Sequence, residues 1–257
     1  MFTRSLVLSL LTVSILIGCD GGEVAPDDTP DPTDSTDTTD STVGLPAGYD
    51  KFVEGIEVYE EGGFIVIETD AVPNHGSPYF ATTDSRYEAY NGSNPQFRLN
   101  PNRIAESPHT FRIPKSPSAS ATHPTTPAGA IGVALNGVPF FNQYAAGGSP
   151  LTGEINSFDQ HNGHPQQTGI YHYHVEPLHL TKTLGTDALL GFLLDGFPVY
   201  GPMENGVAVT NDDLDDYHGH LGPTADYPSG IYHYHITAED PYLNGAGFYG
   251  TPGTVTR

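Results

Sequence analysis

The chain holds one cysteine, Cys19, no tryptophan and, Met1 apart, one methionine, Met203. With no other thiol, the remainder of the chain cannot form disulfides, use a cysteine nucleophile or build a thiolate metal site. The lone methionine likewise disfavours a thioether copper(I) site. Basic residues are scarce: 9 Lys and Arg stand against 31 Asp and Glu, for a formal net charge of −22. A surface of that sign repels phosphate backbones and anionic headgroups, so nucleic acid is excluded as a partner class. The apolar run from Leu6 to Ile17 is too short for a comfortable membrane span. No Gly-x-Ser-x-Gly elbow, His-Glu-x-x-His helix or Gly-x-x-x-x-Gly-Lys loop occurs either.

The N-terminal segment reads as an address. Arg4 precedes the apolar run, and Leu16-Ile17-Gly18-Cys19 resembles the bacterial lipobox, in which the cysteine is acylated, palmitate included. Residues 1–18 are therefore expected to be a lipoprotein signal peptide, with Cys19 the lipidation site and membrane anchor. The protein would then sit in the cell envelope, facing the periplasm or on the cell surface. Residues 19–44 form an acidic Asp/Thr/Pro stretch with eight acidic residues and no basic ones. Such a composition buries too little apolar surface to offset its ordering entropy, so a disordered tether is expected. Residues 45–257 remain for one substantial domain.

In that domain glycine, proline, tyrosine and phenylalanine dominate, a mix that favours short strands and many turns. It also contains a repeat. Ile131–Phe141 parallels Leu190–Tyr200, each with Asn-Gly or Asp-Gly between apolar runs. Phe158-Asp159 and Gly163-His164 match Leu214-Asp215 and Gly219-His220, and Gly169–His174 recurs letter for letter as Gly230–His235. The prediction is a mainly β single domain with an internal tandem duplication, pseudo-twofold, and few short helices. Its units, about 131–176 and 190–237, each run hairpin, loop, Tyr-His-Tyr-His strand. The Asn-Gly and Asp-Gly pairs predict primed two-residue turns. Pro139 and Pro198, which cannot donate to a ladder, predict edge or bulged strands.

In a strand, residues two apart share a face about 6.5–7 Å apart. His172 with His174, and His233 with His235, can therefore converge on one cation through bonds of about 2.0–2.1 Å. His164 and His220 are the natural third ligands, leaving an open position. Tyr171, Tyr173, Tyr232 and Tyr234 face the other way, either packed with bonded hydroxyls or supporting the ligands from behind. Asp159 and Asp215 either orient ligand histidines or cap a turn. His109, His123 and His179 fit no pattern. The competing reading is a hydrogen-bonded histidine network without metal, although four buried imidazoles would need partners on that scale.

The Tyr-His-Tyr-His strands, the run Leu194–Pro202 and Pro73-Asn74-His75 are similar to the bacterial YHYH domain family. The resemblance covers most of 45–257 and implies secretion and metal binding, with no established reaction. It makes His75 a further candidate ligand. It also implies a cysteine two residues after the aspartate of each Asp-x-x-x-Gly-His loop. Here those positions are His161 and Tyr217, which removes a disulfide role and makes His161 a candidate extra ligand in the first unit. Imidazole donors suit copper(II) or zinc. Three functions stay open: a lipid-anchored extracytoplasmic protein binding copper or zinc, a metalloenzyme (zinc hydrolase or hydratase, or copper oxidoreductase), and a structural or adhesive domain without metal.

Overall fold

Glycine positions fix where the backbone reverses, and the turns differ from the sequence expectation. The computed structural model describes residues 44–257; the leader, Cys19 and nearly all of the tether lie outside the described residues. β1 (Glu57–Glu61), β2 (Phe64–Thr69) and β3 (His109–Pro114) form an antiparallel sheet. β1 and β2 are joined through Gly62-Gly63, both at positive φ, as a primed turn needs. β3 alternates, with His109, Phe111 and Ile113 inward, which is the period of a strand buried on one face.

The first unit supplies β4 (Ala130–Ala134), β5 (Pro139–Phe141), the two-residue β6 (Tyr144–Ala145) and β7 (Ser149–Pro150), β8 (Gly163–Pro165) and β9 (Tyr171–Tyr173). The one α-helix among the described residues, α1 (Leu178–Leu184), follows. The second unit supplies β10 (Leu189–Leu193), β11 (Pro198–Tyr200), β12 (Met203–Glu204), β13 (Val207–Ala208), β14 (Gly219–Gly222) and β15 (Ile231–His235). β16 (Thr254–Thr256) returns to pair with β3. The structure is thus mainly β, as predicted, with helix limited to α1 and single turns.

Eight of these strands form one open sheet in the order β14-β15-β11-β10-β4-β5-β9-β8. Within each unit the pairings are the same: antiparallel hairpin, parallel contact to the Tyr-His-Tyr-His strand, antiparallel outer strand. The units meet where β4 pairs β10, with Val133 opposite Phe192, its matching position in the repeat. β4 and β10 are buried along their whole length and carry the core with Ile131, Leu190 and Phe140.

Two turn expectations fail. At Asn136-Gly137 and Asp195-Gly196 only the glycines take positive φ. Each hairpin is a four-residue turn (Gly137 N–H to Ala134 O, Gly196 N–H to Leu193 O) followed by a left-handed glycine. That is the bulged three-residue loop, not the primed one. It leaves the Asn136 and Asp195 side chains pointing into the fold, where Tyr173 and Tyr234 bond to them. β5 and β11 are interior strands, not edges; Pro139 and Pro198 are tolerated because each is the first residue of its strand. The register shifts lie opposite, in β4 and β10.

Candidate metal centre

Each Asp-x-x-x-Gly-His loop is built by its aspartate. Asp159 Oδ1 accepts the backbone N–H groups of His161 and Gly163, while Asn162 takes the left-handed conformation that closes the turn. Asp215 repeats this with Tyr217 and Gly219, and His218 takes the left-handed place. The tyrosine opening each strand motif then donates to that aspartate: Tyr171 at 2.9 Å, Tyr232 at 2.8 Å. Its ring crosses the loop glycine so closely that a Cβ on Gly163 would lie 2.3 Å from it, and one on Gly219 2.6 Å. The glycine therefore serves the tyrosine, and the histidine after it is carried into register.

In β8 and β9 His164 lies opposite His172, and in β14 and β15 His220 lies opposite His233. Directly paired positions place side chains in contact. The second histidine of each strand, His174 or His235, shares that face. Nε2 of His172 is 3.0 Å from Nε2 of both His164 and His174, and His220 Nε2 is 3.0 Å from His233 Nε2. All six histidines named from the sequence are thus gathered, but in two groups of three, one per unit. Five strand-to-strand steps part β9 from β15, roughly 24 Å at the usual spacing.

A carboxylate joins each group. Glu154 Oε1 is 3.2 Å from His164 Nε2, and Glu204 Oε1 is 3.6 Å from His220 Nε2 and 3.5 Å from His233 Nε2. The four donor atoms of either group all lie within 4.8 Å of one another. Both glutamates follow the hairpin of their unit, Glu154 just after the small β6–β7 ladder and Glu204 within β12 of the other. The one signal in the sequence was an acidic residue in that connection in each unit. Its spacing differs too much between the units to stand out.

The tautomers are set by what surrounds the Nδ1 atoms. His172, His174, His233 and His235 each face a backbone carbonyl there: Ile170, Asn142, Ile231 and Gly201. A carbonyl only accepts, so each Nδ1 carries the proton. Ser157 Oγ donates to Glu154 O and so accepts from His164 Nδ1. In a neutral ring the Nε2 atoms are then lone pairs. Burial lowers the pKa of His172 well below the usual imidazole value and those of His174 and His235 to about 4, so neutral rings are the rule near pH 7. Three lone pairs and a carboxylate within contact repel unless a cation lies between them. His235 Nε2 is in fact buried with no hydrogen-bond partner. Two imidazoles bound to one ion at about 2.0–2.1 Å hold their nitrogens at most about 4.2 Å apart, which the 3.0 Å separations satisfy. Either group could hold a metal ion.

The supporting residues named from the sequence fall elsewhere. None of the hydrogen bonds of Tyr171, Tyr173, Tyr232, Tyr234, Asp159 or Asp215 reaches a histidine of the two groups. They lie on the opposite strand face, and backbone carbonyls with Ser157 orient the rings instead. Burial pushes Asp159 to about 6. His75 and His161 are also placed apart from both groups. Their tilted rings meet at 4.1 Å beyond the tyrosine face of β9, beside His179.

Both groups open onto cavities. One of about 520 Å³ is lined by Phe141, Asn142, Tyr144, Glu154, His172 and His174 among others. One of about 390 Å³ is lined by Tyr200, Met203, Glu204, His233 and His235 among others.

The fold and its two histidine–carboxylate groups define a mainly β protein with two separate places that could hold a metal ion. The family model described as YHYH protein matches residues 110–211 and 203–246, and the chain belongs to that family. No curated protein and no solved structure matches it.

Proposed function

We propose that this protein is an extracytoplasmic metal-binding protein, anchored through lipid on Cys19, that holds one divalent transition ion in each histidine–carboxylate group. The observation that carries the reading is the convergence of unprotonated Nε2 atoms, fixed by acceptors at Nδ1, onto a carboxylate in both units. That second-sphere pattern is how proteins prepare imidazoles for metal. His164, His172, His174 and Glu154 would hold the first ion; His220, His233, His235 and Glu204 the second. Three imidazoles with one carboxylate suit zinc or copper(II). A bound ion of this kind acidifies water or polarises an oxygen on a ligand.

Element analysis of the untagged chain tests this, with at least two equivalents of zinc or copper expected, two of them tightly held. His172→Ala with His233→Ala should remove both; unchanged metal content would leave only the hydrogen-bonded structural reading. The two cavities favour metalloenzyme as the second reading, since a pure binding site needs no cleft of ligand size. Phe141 stacks on His172 at 4.0 Å and forms an apolar wall of the first cleft.

A further inference from the structure

The histidines left over by the two groups are not scattered. His75, His161 and His179 come from three distant places in the chain and meet, with ring centroids 4.1, 4.8 and 5.5 Å apart. The first group has centroids at 4.5, 4.8 and 5.8 Å, so the rings of the trio lie as close together. Their donor nitrogens do not converge as those of the two groups do, and a side chain must turn to bring them together. Neutral imidazoles have no reason to assemble in threes on a protein surface, and the hydrogen bonds of this trio do not account for it. No hydrogen bond joins any two of the three. His161 Nδ1 is buried with no partner at all.

We propose that His75, His161 and His179 form a third transition-metal site, on the tyrosine side of β9, with Glu88 as the nearby carboxylate. His75 is prepared as the other ligands are. Its Nδ1 lies 3.0 Å from the carbonyl of Gly76 and donates to it, which leaves Nε2 a lone pair. That lone pair is capped by the Tyr173 hydroxyl at 3.0 Å, so the geometry described is the closed form of the site. An ion would take the place of the hydroxyl proton. Tyr173 has somewhere to turn, because Asn136 already bonds it and Asn136 Oδ1 is buried without a partner. The orphaned Nδ1 of His161 gains its missing partner in the same step. His179 stands on the first turn of α1, partly exposed, where a side chain can swing without disturbing the core. Glu88 and Lys182 bring opposite charges to the group.

The second unit has no such site. Tyr217 stands where His161 does in the first unit and stacks on His123 at 4.1 Å, and no helix follows β15. A third site confined to one unit, half open to solvent and gated by one hydroxyl, suits an ion that is passed on rather than kept.

Calorimetric titration of the metal-stripped, untagged full chain with zinc chloride decides it. Three zinc equivalents are expected, the third weaker, and His161→Ala with His179→Ala should leave two. His172→Ala with His233→Ala should leave the third class in place, so loss of the two main sites and loss of this one are read separately. If the first double variant does not fold, His179→Ala alone, at a half-buried helix position, should weaken the third class at least tenfold. Zinc uptake unaltered by the His161 and His179 changes, with the chain folded, would overturn the proposal.

Discussion

The two histidine–carboxylate groups hold the same residues, three histidines and a glutamate, on the same strand pairing, yet they sit in different surroundings. In the first unit Phe158 packs edge-on against His164 at 4.8 Å, and His164 is 4% exposed. In the second, Leu214 holds the corresponding place, and His220 on the outermost strand is 28% exposed. Phe141 lies flat on His172, where its counterpart Tyr200 meets His233 edge-on and turns its hydroxyl to Thr224 and Asp226. Asp159 is buried, whereas Asp215 is exposed. The same donor residues therefore sit in a more covered place once and a more exposed place once, the difference lying at His164 and His220. An ion held at the second group would have the shorter route out, past the exposed His220.

That contrast can be broken most directly with a chelator. Metal release from the loaded chain should be biphasic, with the slow phase at least tenfold slower and abolished by Glu154→Gln. A single phase would mean that the surroundings do not matter. The next largest effect is on stability. At a metal concentration of 100 Kd a site contributes about 2.7 kcal/mol. His172→Ala should forfeit that and leave a cavity as well, so its fall in Tm should exceed that of His220→Ala.

Acid gives a third test. Burial holds His75 at about 3 and His161, His174, His218 and His235 at about 4, below the 6.5 of an unfolded chain. Between pH 4 and 6.5 the unfolded chain then binds more protons, so stability of the metal-free protein rises with pH. Asp159 and Asp195, pushed by burial to about 6, act in the opposite direction between pH 4 and 6. Five groups outweigh two, and urea unfolding in chelator should show a net gain from pH 5 to 7. Asp195→Asn removes an opposing group and should steepen that gain; a flatter profile would contradict the assignment. The smallest expected effect is that of Phe158→Leu, which makes the first group resemble the second. It should cost about 1 kcal/mol and speed metal release from the first site alone.

The units also differ behind the strands. Tyr173 finds His75 and Asn136, while Tyr234 donates to the buried carboxylate of Asp195 at 2.6 Å. The Asn-Gly and Asp-Gly pairs were legible as turns, but their side chains proved to be part of this layer. That followed from the bulged loop, which a two-residue pattern does not distinguish from the primed one. The same limit hid Glu154 and Glu204, which approach the histidines from connections whose length differs between units.

What the sequence determined by itself was whatever depends on short-range periodicity. Two-residue alternation places His172 with His174 and His233 with His235 on one face and the tyrosines on the other, whatever the strands pack against. The repeat likewise announced two matching units and a mainly β chain. Tertiary structure alone decided that the triads stay apart on opposite wings of one sheet and that each acquires a glutamate. It also decided that one is more covered than the other, and that His75, His161 and His179 meet at all. Those outcomes depend on strand order and loop path, which bring together residues up to about a hundred positions apart, and no local pattern encodes them.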